Sequence, residues 1–232
     1  MANFVSTHQS VHSSAIATLL KSVYLQMAAA LSVTGIVAYF LSQSPAFWQT
    51  LMTNPSIIWI AIIAQLVLVI WLSARIHAMS ISTATLLFIL YSVLMGVSMS
   101  SIFIVYTMSS IASTFFITAG TFFAMSIIGY VTRLDLSRIG SVLLMALVGI
   151  IIATVVNIFL HSETLYWVIS FAGVLIFVGL TAYDTQKIKE MVANYSVADE
   201  MGHKLALLGA LTLYLDFVNL FLHLLRILGN RE

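Results

Sequence analysis

Residues 205–228 read LALLGALTLYLDFVNLFLHLLRIL, an apolar run that carries Asp216 near its centre. About 20 residues span a bilayer as a helix, so this run is long enough to cross one. An ionisable group at that depth is expensive and marks a functional position by default. Thr212, Asp216, Asn219, His223 and Arg226 recur at steps of three or four residues, which aligns them as one polar stripe on an otherwise greasy rod. Hydrocarbon offers such a stripe no partners. The run is therefore expected to be central in a helical bundle, with the stripe facing other helices or a polar path.

Working outward, 61% of the 232 residues are hydrophobic and only 7% are charged, and mean hydropathy is +1.09. Soluble domains carry about 25% charged residues, so the chain reads as an all-α integral membrane protein. Nine Lys and Arg against eight Asp and Glu give a net charge of +1 and no basic stripe, which excludes a nucleic-acid partner. Cysteine is absent, which removes disulfides, thiolate chemistry and Cys-based metal sites. The N-terminus lacks the basic region of a cleaved signal, has no Arg before Arg75, and runs into an apolar stretch too long for a signal core. It is expected to be retained as a span.

The charges divide the chain. Between Lys21 and Arg75 there is none, and two spans fit around the loop SQSPAFWQTLMTNPS, which holds both prolines. From Arg75 to Arg133 the polar break TMSS near Ser109 separates two more, and from Arg138 to Lys187 the break HSE at His161 separates another two. With the Asp216 run this predicts seven spans in one membrane domain, 1–232, at about 22–42, 57–74, 81–106, 110–131, 139–160, 164–185 and 205–228, after a short cytoplasmic N-terminal tail over 1–20. Lys21, Arg75, Arg133, Arg138, Lys187, Lys189 and Lys204 then share one face, against Arg226 and Arg231 on the other. The positive-inside rule places the N-terminus in the cytoplasm and the C-terminus outside. No internal repeat is visible, which weighs against an inverted-repeat transporter.

The second informative stretch is VGLTAYDTQKIK, 178–189, at the end of the sixth span. Alone, Asp184 reads as an interfacial carboxylate at a helix end, three residues before Lys187. Together with Asp216 it reads as one half of a pair, because the two spans are joined by a loop of only about 20 residues and like charges at hydrogen-bonding distance in a dry site cannot both stay ionised. Counted from the helix ends, Asp184 lies one to two turns deep and Asp216 about three, an offset of several ångströms at about 1.5 Å per residue. Pairing requires the sixth helix to continue toward Lys189, or the seventh to shift or tilt. Arg75, at the end of the second span, either holds one carboxylate ionised or snorkels to the headgroups. His223 has no second His at ligand spacing and reads as a helix-contact residue, leaving any metal undetermined. Gly96, Gly173 and Gly179 read as close-packing positions.

The segments GLTAYDTQKIK and LYLDFVNLFLHLLRILG resemble the signature of the Bax inhibitor family, the transmembrane Bax-inhibitor-motif proteins, and length and span layout are similar along essentially the whole chain. The resemblance implies a bundle whose seventh helix is wrapped by the other six. It implies a non-enzymatic, pH-sensitive calcium leak in which Asp184 and Asp216 are the sensing pair and Arg75 their cation, with Thr212, Asn219 and His223 lining a pore or polar stripe. No cofactor is implied beyond transported Ca2+, and the short tails look bacterial, pointing to an inner membrane. Two alternatives stay open. One is a non-transporting regulator of membrane-bound quality-control proteases or other membrane proteins. The other is an intramembrane aspartyl protease, although the second motif reads LYLD and no Pro follows Pro55.

Overall fold

Serine and threonine placed just ahead of apolar runs start several of the helices. Ser44 Oγ accepts from the Phe47 amide (3.3 Å) with Pro45 in the first turn, Ser80 Oγ from Thr83 (3.2 Å), and Thr107 Oγ1 from Ser110 (3.3 Å). Each satisfies an amide that the helix itself leaves open. The computed structural model describes residues 2–54, 56–193, 195 and 199–230, with side chains from Ile16 onward; Pro55 and Arg231 lie outside the described residues. The elements are α1 (Ala2–Ser42), α2 (Pro45–Thr53), α3 (Ser56–Arg75) closed by a 3-10 turn (Ile76–Ala78), α4 (Ile81–Met99), α5 (Ile102–Val105), α6 (Met108–Val131), α7 (Ser137–Leu160), α8 (Glu163–Ala193) and α9 (Glu200–Leu228). Among the described residues there is no strand, and seven helical segments are long and apolar enough to cross a membrane.

Three boundaries differ from the sequence reading. Backbone from Ala2 is already helical and runs unbroken into the first span, so the expected tail over 1–20 is an extension of α1. The sixth span does not stop near 185 but continues to Ala193. Its charged end has an apolar face, since Ile188 and Val192, one turn apart, are fully buried, and no Gly or Pro interrupts the helix after Gly179. The seventh begins at Glu200, where Lys204 Nζ and Glu200 Oε1 form an i,i+4 ion pair at 3.1 Å.

The described chain divides into two units. The first comprises Met1–Val105 and Ile188–Tyr214. In it α1 and α3 both pack on α4. A Cβ on Gly96 would lie 2.8 Å from the Thr34 carbonyl oxygen, so the α1 and α4 backbones approach there as no larger residue allows. Beside this contact Thr34 Oγ1 donates to the Ser92 carbonyl (2.9 Å) and lies 2.7 Å from the Tyr214 hydroxyl. A threonine has one hydroxyl proton, so Tyr214 is the donor of the second bond. The Tyr214 ring is fully buried, edge-on to Phe88 and Tyr91. Gln65 ties α3 to α4 by donating to the Leu94 carbonyl (3.0 Å) and to Ser98 Oγ. Each of these polar groups is satisfied inside the protein, as hydrocarbon demands.

The second unit comprises Tyr106–Lys187 and Leu215–Glu232. Its apolar centre is Ile176, Phe177, Leu180 and Leu220, with Leu143, Leu147 and Ile150 of α7 packed against it. A Cβ on Gly129 would collide with the Ala182 backbone and one on Gly140 with the Tyr183 ring, so α6 and α7 reach α8 through glycines. His161 ends α7 in the left-handed conformation (φ 50°). Between α6 and α7, the Ser137 hydrogen bonds hold the Asp135 carboxyl below the usual carboxylate range. The Gln186 amide grips that same loop, accepting from Leu136 N (2.9 Å) and donating to the Leu134 carbonyl (2.8 Å).

The seventh span is the most buried. Some 72% of the most apolar stretch of α9 is buried, against 44% for α8 and none for α7. Its first half belongs to the first unit and its second half to the second.

Candidate functional site, a buried carboxyl pair

Asp184 projects from α8 and Asp216 from α9, both within the second unit. They are 8% and 4% exposed, and their carboxyls are hydrogen bonded to each other. The continuation of α8 to Ala193 and the early start of α9 make the meeting possible, because each carboxyl gains helix on the side of the connecting loop. The same antiparallel register brings Gly173 of α8 against the His223 ring.

A carboxylate accepts hydrogen bonds and donates none, so a bond between two carboxyls requires a proton on one of them. The second oxygen of Asp216, Oδ2, is buried and without a partner among the described residues. Phe217 stands edge-on to Phe115 and Phe122, and Thr181, fully buried one turn before Asp184, donates to the Phe177 carbonyl of its own helix (2.7 Å). In a setting with an effective dielectric constant of about 20, two carboxylates about 4 Å apart repel by on the order of 4 kcal/mol. That exceeds the roughly 1–2 kcal/mol of an interhelical hydrogen bond in a membrane. Two ionised carboxyls at this contact would therefore repel more strongly than the hydrogen bond attracts.

Arg75 is exposed at the end of α3, in the first unit, and forms no ion pair among the described residues. Lys187, three residues on along α8, brings a positive charge near Asp184 and holds its ammonium 5.7 Å from the Tyr183 ring centroid. A lysine three residues from an acid on the same helix is visible in the sequence.

The rest of the stripe divides in two. Thr212 Oγ1 donates to the Leu208 carbonyl (3.1 Å) and Asn219 Nδ2 to that of Leu215 (2.8 Å), so both half-buried side chains bond back to their own helix. His223 is 7% exposed, stacked on Phe177, and its Nδ1 has no partner among the described residues. It packs as a flat ring in the space Gly173 leaves open. Sequence reasoning did not single out Gln186, Tyr214, Gly129 or Gly140. Gly129 and Gly140 carried no signal beyond being glycines in a span, whereas Gln186 followed Asp184 by two residues.

Comparison with known proteins identifies the lineage. Residues 16–232 match the family described as "Inhibitor of apoptosis-promoting Bax1". The chain belongs to the Bax inhibitor family. Among relatives, the inner membrane protein YbhL of Escherichia coli (strain K12) is 53% identical over 216 residues, covering 93% of this chain and 92% of that protein. A Borreliella burgdorferi protein is 45% identical over 213 residues, covering 92% of each chain. Protein RP147 of Rickettsia prowazekii is 45% identical over 213 residues, covering 90% of this chain and 88% of its own length. The aligned region takes in both aspartates, so this Bax inhibitor family member is a multi-pass membrane protein matched along nearly its whole length.

Proposed function

We propose that this Bax inhibitor family protein is a pH-sensitive calcium leak of a bacterial inner membrane, gated by the Asp184 and Asp216 pair and acting without covalent chemistry or a bound cofactor. The observation that carries this reading is the hydrogen bond between two buried carboxyls on different helices. While one proton is shared the helices are held together. When it leaves, two anions face each other and also present oxygen ligands of the kind Ca2+ prefers. The name of YbhL supports the inner-membrane location.

Purified protein in liposomes loaded with a calcium-sensitive dye is expected to pass Ca2+ at a rate that changes between about pH 5 and about pH 8. A folded protein that passes none at any pH in this range overturns the leak and favours a non-transporting regulator of other membrane proteins.

The orientation we propose, N-terminus in the cytoplasm and C-terminus outside, follows from the basic residues gathered on one face. Reporter fusions after Arg138 and after Glu232 are expected to report opposite compartments. The same compartment from both rules it out.

A further inference from the structure

At one end of the second unit the last turn of α7, the first turn of α8 and the last turn of α9 surround an open cavity of about 570 Å³. Asn157, His161, Glu163, Tyr166, Trp167 and Arg226 line it. The left-handed turn at His161 and the bond from Ser162 N to Asn157 Oδ1 (3.0 Å) fix the α7–α8 corner that forms one wall. Two opposite charges share this cavity without meeting, since neither Glu163 nor Arg226 takes part in an ion pair among the described residues. The Arg226 guanidinium lies 5.6 Å from the Tyr166 ring centroid, which holds it in place and leaves its fork of N–H donors for another group.

The cavity opens where three spans end, the level at which headgroups and interfacial aromatics meet. From its rim Trp167, Phe171 and Leu175 follow one another on α8 at a spacing of four, 39%, 54% and 73% exposed, with Trp167 stacked on Phe171. That spacing makes a continuous apolar track leading away from the cavity along the helix.

We infer that this cavity binds the headgroup of a glycerophospholipid that carries both a phosphate and a primary ammonium. Arg226 takes the phosphate through its planar fork, Glu163 and the aromatic rings take the ammonium, and an acyl chain lies along Trp167, Phe171 and Leu175. A headgroup with a phosphate alone leaves Glu163 facing a like charge, which is why the zwitterion is preferred.

Native mass spectrometry of the full chain from detergent, with phosphatidylethanolamine, phosphatidylglycerol or inorganic phosphate added, tests this. The wild type is expected to retain phosphatidylethanolamine about tenfold better than phosphatidylglycerol, and Arg226→Gln to lower that retention about tenfold, as the loss of one charge-assisted contact implies. Glu163→Gln is expected to remove the preference between the two lipids. Glu163 is exposed, so its variant keeps the test decisive whatever Arg226→Gln does to folding. Equal retention of the two lipids by the wild type, phosphatidylethanolamine retention unchanged by Arg226→Gln, a preference that survives Glu163→Gln, or displacement of the lipid by inorganic phosphate each overturns the proposal.

Discussion

Asparagine at Asp184 and Asp216 together is expected to flatten the pH dependence of calcium flux, leaving the rates at about pH 5 and about pH 8 equal. Asparagine has nearly the shape of aspartate and brings its own N–H donors, so the contact between α8 and α9 survives without a shared proton. What disappears is the link between protonation and contact. In the wild type, deprotonation exchanges a hydrogen bond for a repulsion on the order of 4 kcal/mol, enough to shift a two-state contact by roughly a thousandfold. Either single variant removes that repulsion as well, because one carboxylate remains and its neighbour carries no charge. The readout is dye-loaded liposomes across the pH range, with correct folding checked by gel filtration. A double variant that keeps the full wild-type response sinks the pair as the sensor.

Gly129→Leu is expected to yield no folded protein. The first side-chain carbon at this position would fall onto the Ala182 carbonyl oxygen and lie 2.9 Å from both the Ala182 Cα and carbonyl carbon. These are backbone atoms, so no rotamer change relieves the clash and α6 must move away from α8, two residues from Asp184. Overpacking with side-chain relief costs about 1–3 kcal/mol, and the rigid case costs more. That is a large share of a stability of about 5–15 kcal/mol. Gly129→Ala adds that first carbon alone and is expected to fold with a lowered thermal midpoint, because the three further carbons of leucine demand a larger displacement of α6. Gly120 and Gly149 have open space where their Cβ would sit, so alanine at either is the matched control. Recovery of Gly129→Leu from detergent at the level of those controls would contradict the account.

How far the sequence reached depends on which force set each feature. The spans were legible because hydrocarbon imposes composition directly: a charge-free interval and a polar break such as TMSS or HSE are written in the residues themselves. Asp216 was legible for the same reason, as an acid where lipid forbids one. The register that brings Asp184 to it was harder to read. Charges at Lys187, Lys189 and Glu190 look like the end of a span, yet Ile188 and Val192 bury an apolar face and carry α8 on to Ala193. A hydropathy window averages that face away. Arg75 stands at a span end, a position that fixes depth but not direction. The Gln186 grip on the α6–α7 loop and the Gly129 contact arise from shape in three dimensions, and local sequence leaves no trace of either.

The split of α9 between two units bears on how the protein is made. A ribosome delivers the six earlier spans before the segment that fills both interiors has been synthesised, so neither unit can close its core during most of translation. Thr34 waits for Tyr214, and Asp184 waits for Asp216, across nearly the whole of elongation in the first case. Until α9 enters the bilayer, the nascent chain holds half-finished polar contacts at membrane depth. The period of greatest exposure to membrane quality control therefore falls at the end of synthesis, and a chain released before residue 200 forfeits the interior of both units at once.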